Sequence, residues 1–156
     1  MAKKNNNKAS VTIENRKARH DYFIEDSVTC GLVLTGTEVK SIRSGKAQLK
    51  DSFARIEKGE VWLYNCHISP YQFGNRFNHN PIRKRKLLLG KKEILKLYGK
   101  TKEKNLSLIP LKIFFSKNWA KLELGLGKSK KTYDKREAIK KKELQRSIKQ
   151  IKSKYI

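Results

Sequence analysis

The chain has 156 residues, the length of one domain and enough to bury a core, with 38 Lys and Arg against 14 Asp and Glu, a formal charge of +24. That excess goes beyond what solubility requires and points to a polyanionic partner. Its longer apolar stretches, such as Ile109 to Phe115, are interrupted by residues like Pro110 and Lys112. They fall short of the roughly 20 apolar residues of a membrane span, so nucleic acid fits the charge and a bilayer does not.

Residues 1–14 are rich in Lys, Asn and Ser and have little to bury, which predicts a flexible basic arm. No apolar run follows the first lysines, so the segment does not read as a secretory leader and a cytoplasmic location is expected. Strands are predicted over Tyr22 to Ile24 and Val28 to Leu34, then a short helix over Thr37 to Ser44 that stops at Gly45. Ser52 to Glu57 and Val61 to His67 form a hairpin about Lys58-Gly59. From His67 to Pro81 no period is visible, which predicts an ordered loop or an irregular strand.

Arg83-Lys84-Arg85-Lys86 runs directly into Leu87, Leu88 and Leu89, so a dense positive patch is tied to a buried anchor. Phosphate contact by Arg83, Arg85 and Lys86 is the expectation. Lys91 to Lys102 places Ile94, Leu95, Leu97 and Tyr98 on one helical face. Leu106 to Phe115 and Trp119 to Leu126 read as strands joined by Ser116-Lys117-Asn118. The fold expected is mainly β with helices: an OB-like antiparallel β-barrel with two or three α-helices, spanning residues 15–127, which hides its strand edges.

Residues 128–156 hold twelve Lys or Arg and three Asp or Glu, a net of +9. Leu144, Ile148, Ile151 and Tyr155 make a helical stripe too narrow to stabilise an isolated helix, so this basic tail is expected to be disordered until bound.

Catalytic and metal signatures are weak. Gly127-Lys128-Ser129 has the end of a phosphate-binding loop, but the glycine required five residues earlier is Leu122. His20, His67 and His79 lack ligand spacing, and Cys30 and Cys66 read as buried, inert thiols. No catalytic residue, metal or cofactor is implied, and no enzymatic activity is expected. Tyr71, Phe73, Phe77 and Trp119 offer rings that could stack on unpaired bases, but core packing is the commoner fate of such residues, and partial exposure is expected only for Trp119, beside a hairpin turn and near Lys121; Tyr22, Phe53, Trp62, Phe114 and Phe115 are assigned to the core.

The ordered blocks NRKARHDYFIED (Asn15 to Asp26), GLVLTGTEVKSIRSGKA (Gly31 to Ala47), DSFARIEKGEVWLYN (Asp51 to Asn65), HISPY, NHNPIRKRKLLL and YDKR (Tyr133 to Arg136) resemble the SsrA-binding protein family, also called small protein B. The resemblance covers nearly the whole chain. It implies a barrel that binds the tRNA-like domain of transfer-messenger RNA (tmRNA) and delivers it to stalled ribosomes for trans-translation. By similarity the RNA-facing residues are Asn15, His20, Tyr22, Leu88, Lys121, Lys128, Lys130 and Lys131. Tyr133, Asp134, Lys135 and Arg136 would meet the ribosomal decoding centre, with the tail in the empty mRNA channel. The partners implied are tmRNA and the ribosome, not a membrane, and the free protein is expected to be a monomer. Where the family has glutamate-alanine-glycine this chain has Thr29-Cys30-Gly31, and Ser129 replaces a glycine of the basic turn. A constitutive structural protein of the ribosome would share the charge and the tail and stands as the alternative.

Overall fold

The computed structural model describes residues 11–74, 77–130 and 132–154, with the backbone alone for 132–138 and 152–154. The elements in chain order are β1 (Ile13–Glu14), α1 (Arg16–Asp21), β2 (Tyr22–Leu32), α2 (Gly36–Arg43), β3 (Ala47–Gln48), β4 (Phe53–Glu57), β5 (Glu60–Tyr64), β6 (His67–Ile68), β7 (Arg85–Leu88), α3 (Lys91–Glu103), β8 (Ser107–Ser116), β9 (Trp119–Ser129) and α4 (Thr132–Lys154). The large sheet is antiparallel, in the order β1-β8-β4-β5-β7-β2-β9, and β8 also pairs with β9, so the strands close into a ring. The mainly β architecture expected from the sequence is present, with four helices in place of two or three.

Local sequence explains most boundaries. Both predicted hairpin turns form, with Lys58 and Gly59 at φ 49° and 75° and Lys117 and Asn118 at 49° and 68°, the left-handed pair that a two-residue hairpin demands. Gly45 closes α2 at φ 73°, donating its N–H to the Ile42 carbonyl at 2.9 Å. The two strands predicted at Tyr22 to Ile24 and Val28 to Leu34 are one continuous strand, bent by a register shift between Ile24 and Asp26. An extra residue there keeps the ladder going while changing which side chains face inward.

The core is aliphatic. Ile42, Leu49, Val61, Leu63, Ile68, Leu87, Ile113, Leu122, Leu124 and Leu126 are at most 1% exposed. The aromatic residues assigned to it, Tyr22, Phe53, Trp62, Phe114 and Phe115, are only partly buried. In β4 and β5 the inward positions go to Ala54, Val61 and Leu63, leaving Phe53 stacked on Tyr64 at 5.4 Å with Arg55 over the Phe53 ring at 5.1 Å. A narrow ring fills its interior with branched aliphatics, and the larger rings take the alternate, outward positions.

A second, smaller cluster of Ala18, Ile109 and Leu111, with Tyr22 and Ile24 against it, lies beneath α1. β9 makes room for it with glycines: a Cβ on Gly125 would lie 3.0 Å from Leu111, and one on Gly127 3.0 Å from Ile24. Gly127 is thus a packing residue inside β9, which continues to Ser129 instead of ending at Leu126. Burial pushes the Cys30 thiol up to about 12 and the Cys66 thiol to about 11, so both stay protonated at neutral pH. Along α4, Leu144, Ile148 and Ile151 are 44–61% exposed, so these three residues of the stripe face solvent, and the fourth, Tyr155, lies outside the described residues. Among the described residues no helix is long and apolar enough to cross a membrane.

Candidate nucleic-acid interface

β2 and β9 pair over almost their whole length and make a long ribbon on one side of the ring. Because side chains alternate, one face of this ribbon is set by register. Gly31 pairs with Leu88 on β7 and with Lys121 on β9, and Lys121 pairs in turn with Phe114 on β8. The result is an outward row, Leu88–Gly31–Lys121–Phe114, crossing four strands. Leu88 is 53% exposed although it is leucine, and it lies over Gly31, where a Cβ would come within 3.2 Å of the Leu88 Cβ. Gly31 therefore lets Leu88 lie flat beside Lys121. The neighbouring outward row pairs Thr29 with Glu123, and Glu123 is held by Lys112 at 3.5 Å.

The other end of the same ribbon collects a second set. Tyr22 pairs with Ser129 and Phe23 with Lys128, while the Lys130 N–H donates to the Asp21 carbonyl at 2.9 Å. Lys130 Nζ stands 4.9 Å from the centre of the Phe23 ring, and Phe23 is 53% exposed. His20 is exposed at the end of α1 with Nδ1 3.1 Å from Asp21. Tyr22 and Gly31 are nine positions apart, about 30 Å of strand, and Lys128 with its partner Phe23 has the opposite pleat parity to Lys121, so the second set is a separate foothold at the other end of the ribbon. Arg16 and Arg19 on α1 are also exposed, as is Phe23. Arg16 and Arg19 are not legible as site residues in the sequence because α1, at six residues, is too short to show a helical period.

Two of the residues predicted to contact RNA have side chains engaged within the fold. Asn15 is 8% exposed and its amide is consumed by the fold: its side-chain oxygen accepts from the Ala18 N–H at 3.3 Å, capping α1, and Nδ2 donates to the carbonyls of Pro110 at 2.9 Å and Leu49 at 3.2 Å. Arg85 has no exposed surface. Its guanidinium ion-pairs with Glu38 and donates to the Cys66 carbonyl at 2.7 Å and the Pro81 carbonyl at 3.2 Å. Burial alone would push the Glu38 carboxyl up, but the Thr35 N–H, Arg83 and Arg85 together outweigh it and hold the pKa below the ordinary carboxylate value.

Arg83 shares that pair, donating to Glu38 at 2.5 Å, with its own side chain 36% exposed. Lys86 is an outward residue of β7, beside Trp62, and reaches Glu60 at 3.1 Å. The basic run thus divides, with Arg85 internal, Arg83 straddling the surface, and Lys84 and Lys86 outside. Lys131 lies outside the described residues, and Tyr133, Asp134, Lys135 and Arg136 are described only as backbone within α4.

Residues 12–154 match the family model described as SmpB protein. The SsrA-binding protein of Carboxydothermus hydrogenoformans is 61% identical over 138 residues, covering 88% of this chain and 93% of that protein. The one from Anoxybacillus flavithermus is 62% identical over 135 residues, covering 86% and 88%. A chain from the solved structure described as "tmRNA-SmpB: a journey to the center of the bacterial ribosome" superposes with a TM-score of 0.69 at 49% identity, covering 83% of this chain and 94% of that one. A match running from residue 12 to 154, together with relatives of this identity, shows that the chain belongs to the SmpB family of SsrA-binding proteins.

Proposed function

We propose that this protein binds the tRNA-like domain of tmRNA and delivers it to stalled ribosomes for trans-translation, acting in the cytoplasm by recognition and without catalysis. The observation that carries this reading is the β2–β9 ribbon, with Leu88, Gly31 and Lys121 in one cross-strand row and Tyr22, Lys128 and Lys130 at the other end. A folded tRNA-like RNA is read through shape, backbone and 2′-hydroxyls, which suits lysines spaced along a rigid strand and a few flat apolar groups. In this reading residues 1–14 are an accessory basic arm, the ring holds the RNA, and the tail from residue 128 onward lies in the empty mRNA channel. Tyr133, Asp134, Lys135 and Arg136 would then approach the decoding centre, where an aromatic ring stacks on bases and Lys135 and Arg136 pair with phosphates.

The test is filter binding of the purified tRNA-like domain to the full chain. Lys121→Ala should weaken binding and lower the slope of log affinity against log salt by about one. Leu88→Ala should weaken binding with the melting temperature unchanged, because the side chain is half exposed. Full affinity in both variants would remove the ribbon from the interface. Stoichiometric retention of the protein on every washed ribosome, without tmRNA, would favour the structural ribosomal protein instead.

A further inference from the structure

One end of the ring gathers aromatic and basic groups that the ribbon does not use. Its scaffold is α2 together with the segment between β6 and β7. The Ser41 hydroxyl donates to the Ser69 carbonyl at 2.6 Å. His79 bridges the two elements, with Nδ1 2.8 Å from the Thr37 hydroxyl and Nε2 donating to the Ile68 carbonyl at 2.8 Å. Asn78 brackets Tyr71, accepting from its N–H at 3.1 Å and donating to its carbonyl at 2.7 Å. A segment without regular structure is thereby pinned to a helix by polar contacts rather than by burial of its aromatic residues.

Those aromatic residues project outward. Phe73 is 73% exposed and meets Tyr71 edge-on with ring centres 5.6 Å apart. Lys40 Nζ stands 5.3 Å from the Tyr71 ring centre. One helical turn further along α2, the Arg43 guanidinium lies 4.6 Å from the Phe115 ring, at the end of the β8–β9 hairpin where Trp119 is 71% exposed. Lys46 is exposed just past the helix and accepts the Ser69 N–H on its carbonyl at 3.0 Å. One helix face therefore sets a cation beside each of two aromatic groups.

The charge here has one sign. No Asp or Glu occurs in residues 39–50, 61–92 or 104–122, the segments that build this end after the buried Glu38. Protein interfaces concentrate apolar groups at the centre and deplete it of lysine. Here the cations stand among the exposed rings, the arrangement that lets bases stack while phosphates are neutralised alongside.

We propose that this end of the ring binds unpaired nucleotides of an RNA, with Phe73 and Trp119 stacking on bases and Lys40, Arg43 and Lys46 meeting phosphates. The proposal rests on the RNA-binding reading above and adds a surface for single strands. It is tested with the full chain, a labelled oligoadenylate of about eight nucleotides and a blunt RNA duplex. The Phe73→Ala/Trp119→Ala double variant should melt like the wild type, because both rings are exposed, and lose at least about tenfold in oligoadenylate affinity with duplex binding unchanged.

Lys40→Ala/Lys46→Ala should weaken both probes and flatten their salt dependence. Unchanged oligoadenylate affinity in the aromatic variant, or equal losses on both probes, would overturn the stacking surface. A photo-crosslinking phenylalanine analogue at position 73 should give adducts in cells that ribonuclease destroys. A ribonuclease-resistant protein adduct would assign the surface to a protein partner instead. Failure of the RNA-binding reading itself shows separately, as a wild-type chain that does not retain the tRNA-like domain at all.

Discussion

Glu38 carries its charge in a site with no solvent access because two arginines and a backbone N–H meet it there. Removing the charge strands Arg85, which is equally buried, so Glu38→Gln should cost about 3–5 kcal/mol of stability, read from denaturant midpoints. The pH dependence follows from the direction of the shift. The folded state holds the Glu38 carboxyl below its ordinary value of 4.5, so its contribution is complete above that pH and is lost as pH falls toward the folded value. The stability gap between wild type and Glu38→Gln should narrow on acidification below 4.5; a gap that stays constant would show that Glu38 is not charged in the fold. Arg85 also shows where residue-level reading stopped. Its inward position follows from sharing the parity of buried Leu87 along β7, but Leu87, Leu88 and Leu89 are all leucine and hide that parity. Only the pairing of Val61 with Leu87 and Leu63 with Arg85 selects the inward set.

At the scale of elements, hairpins and the two central helices were legible because turn glycines, asparagine and amphipathic spacing are local signals. α1, β1, β3, β6 and β7 were not, since each is six residues or fewer and depends on a distant partner, such as Asn15 bonding to Leu49 and Pro110. The edge of the tail also moves. Composition changes at residue 128, yet β9 continues to Ser129 and Lys130 still bonds to Asp21. A chain ending at Gly127 should lose about 1–3 kcal/mol of stability by thermal unfolding, because its last ladder pairs with Tyr22 and Phe23 are gone. A chain ending at Lys131 should melt like the full protein and retain tRNA-like-domain binding while losing tag addition on stalled ribosomes. Full tagging by that shorter chain would remove the tail from the mechanism.

For the whole molecule, the dominant quantity is charge. If about 6–10 phosphates are contacted, affinity for the tRNA-like domain should fall by roughly 10³–10⁵ between 50 and 200 mM salt. A flat response in a salt titration would mean that the net charge of +24 does not carry the binding. That the partner is a polyanion, that the fold is antiparallel β, and that the ordered blocks belong to one family were all set by the sequence itself, because charge, alternation and turn residues survive without knowledge of contacts. Which lysines and leucines share a face was settled only by tertiary structure. Leu88, Gly31 and Lys121 lie far apart along the chain and meet because three strands pair in one register, and a shift of one residue would turn each side chain to the opposite face.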